Sequence, residues 1–400
     1  MSKSRYFTGQ PIFTQILSYV PQDRVKRIAE DHKADRYYKD FKTFTHLVTM
    51  LYGIFNRCTA LREVTTGLLA WEHRIQHLGI NYHPRRSTIS DANSSRPAEV
   101  FESIYYWLYH RYKQFLPDSQ SKKEARLYIA DSTTIQLFQE VLKNAGRNPV
   151  EGRRKGGIKV HTLIKGDEDV PCLIRFSPGS AADSPFLKNI RLPEGSVLVF
   201  DKGYNDYKQY NRLTNEKVTW VSRLKRNAIV TIEENRPISD SEKAKGIIKD
   251  QFIDMGHNIH KTNPHVKARL IKYKDPQTKQ TFHFITNNRR FNPSTVADFY
   301  KKRWQIESLF KRIKQNFPLR SFLGESENAI KIQIWSALIA DLLIKLVKAK
   351  AGKKWSFSNL AAMIRLHLMT YINLFEFLKN PENALRKKQI KLPQLDLFSP

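Results

Sequence analysis

The spacing of apolar residues along the chain changes twice. Over the first hundred or so positions it is helical. Ile12, Phe13, Ile16, Leu17 and Val20 make a short amphipathic segment closed by Pro21. Phe41, Phe44, Leu47, Val48, Leu51, Ile54 and Phe55 form a longer stripe, and Leu61, Val64, Leu68, Leu69 and Trp71 begin another. Val100, Ile104, Leu108, Tyr112 and Phe115 fill the face of a further helix, which Ser87 or Thr88 precedes in a basic turn. Residues 116–124 contain Pro117 and a polar run, and read as a linker. Beyond it the pattern shortens into strand-like runs at 127–130 (L-Y-I-A), 157–165, 170–176, 197–200 (V-L-V-F) and 218–223. Between about 227 and 289 short β-like runs alternate with polar turns. Helical spacing then returns at 299–317, 325–348 and 355–378.

This predicts an α/β chain in three parts. Residues 1–118 form an all-helical domain, 125–350 a mixed sheet with flanking helices and a β-rich insertion at about 227–289, and 351–400 a last helix and basic tail. The helix at 325–348 is expected to pack on the sheet. Residues 144–157, rich in Gly and basic residues, read as a loop that either cradles phosphates or only connects.

Composition narrows the function. Lys plus Arg number 68 against 38 Asp plus Glu, a formal net charge of +30. The basic residues run along the whole chain, which implies an extended polyanion as partner, most simply nucleic acid. The two cysteines, Cys58 and Cys172, are far apart and form no metal-binding or disulfide pattern. His257, His260 and His265 have no cysteine nearby, which argues against zinc. The most apolar stretch, 332–347, is interrupted by Gln333, Ser336, Asp341 and Lys345 and is too polar to span a bilayer. The expectation is an intracellular protein away from membranes.

The helix at 299–317 carries the densest chemistry. Turn residues 292–295 stand before it, Pro318 stops it, and no Gly or Pro interrupts it. On an ideal helix at roughly 100° per residue, Phe299, Ile306, Leu309, Phe310, Ile313 and Phe317 share one sector. Tyr300, Arg303, Glu307, Lys311 and Lys314 share the next. A carboxylate framed by a phenol and three cations suits a metal held against a phosphate backbone. It equally suits a solvated face with i,i+4 pairs such as Glu307–Lys311.

Two aspartates upstream stand in unusual places. Asp131 breaks an apolar strand, which is costly unless the carboxylate is solvated at an edge or holds a metal. Asp201 ends the buried run 197–200 and is followed by Gly203 and Tyr204. Each is also readable as a strand-end turn.

Tyr300, Arg303, Glu307 and Lys314 spell Y-x2-R-x3-E-x6-K, and Trp304, Ile306, Phe310, Lys311 and Gln315 fit the wider pattern around it. This resembles DDE transposases of the insertion-sequence-four type. Asp131-Ser132-Thr133 is similar to that family's first acidic motif, and Asp201, Gly203 and Tyr204 match its D-x-G-Y. The resemblance implies a ribonuclease-H-like catalytic domain with Asp131, Asp201 and Glu307 as catalytic and metal-binding residues. It implies that Tyr300, Arg303 and Lys314 contact DNA near the scissile phosphate; Lys311 joins them from its place in the cationic frame. Oxygen ligands suit Mg²⁺ or Mn²⁺, and two ions roughly 3.5–4 Å apart would serve in-line phosphoryl transfer.

The resemblance further implies an N-terminal domain that binds transposon ends, terminal inverted repeats and target DNA as double-stranded partners, a dimer on DNA, and a cytoplasmic, nucleoid-associated, bacterial setting. Some relatives stack a flipped base on a tryptophan of the insertion. This chain has no Trp between 221 and 303, and Tyr273 or Phe284 is the candidate substitute. The activity implied is DNA cleavage at transposon ends with strand transfer into target DNA. The alternatives are a ribonuclease-H-like nuclease without strand transfer, and a non-catalytic DNA-binding protein derived from a transposase.

Overall fold

The computed structural model describes residues 9–116, 126–136, 157–166, 168–256, 264–319, 321–351 and 355–381. The phosphate-cradle candidate at 144–156, His257, His260 and the tail after 381 lie outside them. In chain order the helices α1 (Ile12–Leu17), α2 (Gln22–Asp31), α3 (Thr43–Asn56), α4 (Leu61–Leu69), α5 (Glu72–Ile75), α6 (Arg86–Ser95) and α7 (Glu99–Tyr112) come first. The strands β1 (Leu127–Gln136), β2 (Gly157–Lys165), β3 (Pro171–Pro178) and β4 (Val197–Phe200) follow. Then come α8 (Tyr207–Asn215), β5 (Thr219–Arg223), β6 (Val230–Asn235), α9 (Asp240–Ala244), β7 (Ile247–Met255), β8 (Val266–Lys274) and β9 (Thr281–Thr286). The chain closes with α10 (Pro293–Lys302), α11 (Trp304–Asn316), α12 (Glu327–Lys350), α13 (Phe357–Leu366) and α14 (Leu374–Lys379).

Two compact units result: Met1–Phe115 with Asn316–Pro400, and Leu116–Gln315. In the first, the stripes read from the sequence supply the core, with Phe13, Leu47, Leu51, Ile54, Leu68, Ile104 and Leu108 fully buried, but Leu69 and Phe115, expected on those stripes, are exposed. Here one expectation is corrected. Helix α12 belongs to the helical unit and not to the unit that holds the sheet. It packs against α3, α6, α7 and α13 inside the helical unit. The reason is its composition: from Ile330 to Val347 nearly every side chain is buried, Gln333, Ser336 and Asp341 included. A helix apolar on all sides needs cover on all sides, and one face of a sheet cannot give it.

The second unit is built on one nine-stranded sheet in the order β3-β2-β1-β4-β5-β9-β8-β7-β6. β1 to β3 are antiparallel neighbours, and β4 and β5 add to β1 in parallel. This is the mixed sheet expected from the sequence. The β-rich insertion is present but does not stand apart. β9 pairs antiparallel with β5, so β6 to β9 continue the same ladder. β4 buries all four of its residues, as its unbroken V-L-V-F run requires of a central parallel strand. Trp220 stacks on Tyr210 of α8 at 4.2 Å between ring centroids, and its indole N–H donates to Thr214 Oγ1 at 3.0 Å. α10 lies against β4, β5, β7 and β9. Among the described residues no helix is long and apolar enough to cross a membrane.

Candidate active site

The site begins with a register. β1 and β4 run parallel with Ala130 opposite Phe200. The next residue on each strand is therefore an aspartate, Asp131 and Asp201, and the two are carried to the same place by backbone pairing alone. β4 ends at Phe200 while β1 continues to Gln136. Asp131 thus stands where its strand has lost its parallel neighbour, which is how a carboxylate is accommodated inside an apolar run. Asp201 opens a 3-10 turn, Lys202–Tyr204, whose Tyr204 N–H donates to the Asp201 carbonyl.

The third acid arrives on a broken helix. The sequence predicts one helix over 299–317, but the structure divides it at Arg303, between α10 and α11. Around that residue the backbone bonds tighten to i→i+3: Arg303 N–H to the Tyr300 carbonyl at 3.0 Å, and Ile306 N–H to the Arg303 carbonyl at 3.2 Å. The break changes the geometry of the signature. Tyr300, expected on the open polar sector, is 4 % exposed, and its hydroxyl donates to Asp201 Oδ1 at 2.9 Å. Arg303, 8 % exposed, lies between the other two acids. Its Nη1 donates to Asp131 Oδ2 at 2.5 Å and its Nη2 to Glu307 Oε1 at 2.6 Å. Glu307 itself is exposed.

Two further partners complete the frame. Arg223, at the end of β5, donates to Asp201 Oδ1 at 2.7 Å. Lys314 Nζ donates to Thr133 Oγ1 at 2.7 Å and to the Thr134 carbonyl at 3.2 Å. Arg223 escaped the sequence reading. The available signal was its position: a cation ending a buried strand at the same end of the sheet as both aspartates. Asp131, Ser132, Thr133, Asp201, Arg223, Arg303, Glu307, Phe310, Lys311 and Lys314 line one cavity of about 530 Å³. All seven residues singled out in the sequence are therefore in or beside one site, with Tyr300 beneath Asp201.

The two aspartates differ electrically. Burial pushes the Asp131 carboxyl up to about 6, an effect that Arg303 only partly offsets. Burial would raise Asp201 as well, but the hydrogen bonds from Arg223 and Tyr300 outweigh it and hold that carboxyl below its usual range. Burial lowers the Lys314 ammonium. The Nε atoms of Arg223 and Arg303 are buried without a hydrogen-bond partner among the described residues. Among the same residues no three His, Cys, Asp or Glu side chains converge into a metal cluster; a guanidinium stands between Asp131 and Glu307.

A second cavity, of about 760 Å³, shares Arg223, Arg303 and Glu307 with the first. Tyr273, Phe282, Phe284, Tyr300 and Trp304 also line it. Tyr273 and Phe284, the aromatic candidates of the sequence, thus adjoin the acids.

A family described as the transposase DDE domain matches residues 122–343, more than half of the chain. The chain belongs to that family. A protein of Sinorhizobium fredii named as a transposase is 31 % identical over 267 residues, 66 % of this chain and 71 % of its own. One of Synechocystis, named as a transposase for the insertion sequence element IS4SA, is 28 % identical over 273 residues, 65 % of this chain and 71 % of its own. Residues 8–81 match a domain family of unknown function. Among solved structures, a piggyBac transposase synaptic complex with hairpin DNA aligns over 95 % of this chain and 81 % of its own, at 14 % identity and a TM-score of 0.39. This transposase therefore carries its three expected acids on the sheet and helix of its family domain, all within residues 122–343.

Proposed function

We propose that this transposase cuts DNA at the two ends of its element and joins the freed 3′-ends to target DNA, with Asp131, Asp201 and Glu307 as its catalytic acids. The observation that carries the reading is the Ala130–Phe200 register, which sets Asp131, within β1, beside Asp201 at the carboxyl end of β4. Substrate sites gather at such strand ends.

The donor set fits a divalent metal. Asp131 and Asp201 line one cavity, and Glu307 is tied to Asp131 through the Arg303 guanidinium. That guanidinium supplies the positive charge the acids require. Oxygen ligands alone suit Mg²⁺ or Mn²⁺. Asp131, Asp201 and Glu307 would hold such ions, which would supply Lewis-acid activation of the attacking and leaving oxygens.

The remaining residues act on DNA. Arg303 and Arg223 each keep one buried donor without an acceptor among the described residues, and a phosphate oxygen is the acceptor that matches a guanidinium. Lys311 and Lys314 place point charges along the same cavity. Tyr300 holds Asp201 and leaves its ring beside the second cavity, whose aromatic faces suit an unstacked base. Residues 1–118 bind the terminal inverted repeats, synapsis of two ends makes the working form a dimer on DNA, and the setting is the bacterial nucleoid.

The test is a plasmid carrying the gene with its native flanks, incubated with the protein and Mg²⁺ or Mn²⁺, beside Glu307→Gln. Breaks mapping to two inverted repeats and joined products are expected from the wild type, and neither from the variant, whose DNA binding persists. Scattered variant-sensitive nicks without joining would favour a nuclease. Binding without any cut in either protein would favour a DNA-binding protein. Cleavage retained by Glu307→Gln would remove that residue from the site.

A further inference from the structure

A fourth acid, Asp183, stands next to the three and is absent from the signature. It occupies the N-cap position of a short 3-10 helix, Ser184–Asn189, yet its side chain makes no capping bond. An aspartate at an N-cap ordinarily accepts from the first turn's N–H groups. This one turns to other partners. Its Oδ1 accepts from Ser132 Oγ at 2.9 Å and pairs with Lys159 Nζ at 3.1 Å. His161 Nδ1 is 3.7 Å away.

Each partner ties Asp183 to the catalytic strands. Ser132 follows Asp131 directly, and its N–H donates to Asp131 Oδ1 at 2.8 Å. The residue thus holds Asp131 with its backbone and Asp183 with its hydroxyl. Gly203 lies two positions after Asp201, and a Cβ there would come within 3.1 Å of Asp183 Oδ2. A side chain at 203 would press on the Asp183 carboxylate, so glycine there leaves that carboxylate its room beside the turn after Asp201. Lys159 is on β2, the neighbour of β1. One carboxylate accordingly joins β1, β2 and the turn after β4 at the point where the two aspartates meet.

We propose that Asp183 is a positioning residue that orients Asp131 for metal binding through Ser132, with Lys159 holding the Asp183 carboxylate in place. The inference rests on the reading of Asp131 as a metal ligand. Groups that hydrogen-bond a ligand's surroundings fix its direction, and losing one typically costs about 10–100-fold in metal affinity. Asp183 touches none of the three acids itself and acts only through the Ser132 segment.

The experiment is a titration of the full-length protein with Mn²⁺ in the absence of DNA, read by the electron paramagnetic resonance of the free ion. Asp183→Ala and Ser132→Ala are each expected to weaken Mn²⁺ binding by about 10–100-fold. The double variant should be no weaker than either single, because both cut the same connection. Asp183→Asn, which keeps an acceptor oxygen for Ser132, should recover most of the affinity. A Mn²⁺ affinity unchanged in both single variants overturns the proposal, even where Asp183→Ala lowers the melting temperature, since that is the mark of a strand staple only. If Asp183→Ala does not fold, Ser132→Ala decides alone by the same criterion. Asp131→Asn is the control for the parent reading: unchanged Mn²⁺ binding in it removes Asp131 from the metal site and the proposal falls with it. A loss in Asp131→Asn with none at 183 or 132 sinks this proposal alone.

Discussion

Arg303 is the residue on which the electrostatics of the site turn. Its two terminal nitrogens each hold a carboxylate, and it lies almost fully out of water. Arginine serves there and lysine would not, because the planar fork reaches two acids at once. Arg303→Ala would leave Asp131 buried and unpaired. We expect end cleavage to fall by roughly a hundredfold, the scale of misplacing a group at a reacting centre, while non-specific DNA binding changes only a few-fold. An equal loss of both, in cleavage and gel-shift assays, would place Arg303 in bulk affinity alone. A second residue governs a pH response within the helical unit. His46 is fully buried in the helical unit; its Nδ1 accepts from Arg96, so its Nε2 carries the proton toward Asn93 Oδ1. Burial first, and Arg96 second, hold its pKa well below the ordinary 6.5. The unfolded chain takes up this proton near 6.5 and the folded chain does not, so stability is lost as the pH falls through that value. The melting temperature should be lower at about pH 5.5 than at about pH 7.5, and His46→Gln should flatten the difference.

At the scale of elements, α12 shows how a polar residue can organise an apolar helix. Gln333 is fully buried, donates to the carbonyls of Pro318 and Ser321 at 2.7 and 2.9 Å, and accepts from Leu323 N–H at 2.7 Å. It thereby folds the segment after α11 onto α12. Gln333→Leu keeps the bulk but strands three backbone groups. At about 1–3 kcal/mol for each unsatisfied group, we expect a loss of at least about 2 kcal/mol in urea unfolding, more than an ordinary surface substitution. Read from the sequence, α12 shows one apolar stripe, and its enclosure on all sides is not visible in the stripe. The break at Arg303 was hidden for a similar reason. Residues 299–317 contain no Gly or Pro, so nothing local stops the helix; the partners that hold Arg303 across it, Asp131 above all, are supplied by the sheet. By contrast, 127–130 and 197–200 were legible as strands because they are apolar without interruption. Asp131 and Asp201 were legible because each ends or breaks such a run. Arg223 and Asp183 were not, since each meets its partner only after the strands have paired.

Over the whole molecule the dominant fact is charge. A formal net charge of +30 predicts DNA affinity that falls linearly in log K against log salt, with a slope set by the phosphates contacted. Lys311→Ala and Lys314→Ala should each reduce the slope by about 1 if each meets one phosphate. Unchanged slopes would move both lysines off the DNA path. The Arg303–Asp131 pair differs from this field in kind, being short and mostly out of water and therefore poorly screened.

The parallel pairing of β1 with β4 has a further consequence. Two of the three acids are set by the paired interior strands β1 and β4, and all four residues of β4 are out of water. The third is exposed on the first helical turn of α11, just past the break at Arg303. The site therefore has an immovable half and an adjustable half. Drift in the sequence can retune reach, timing and substrate fit by working on residues 303–314 alone, while any change that slides β1 against β4 by one position sends an aspartate to the wrong face and ends the chemistry. Variation among copies of such an element should accumulate on the helix side first.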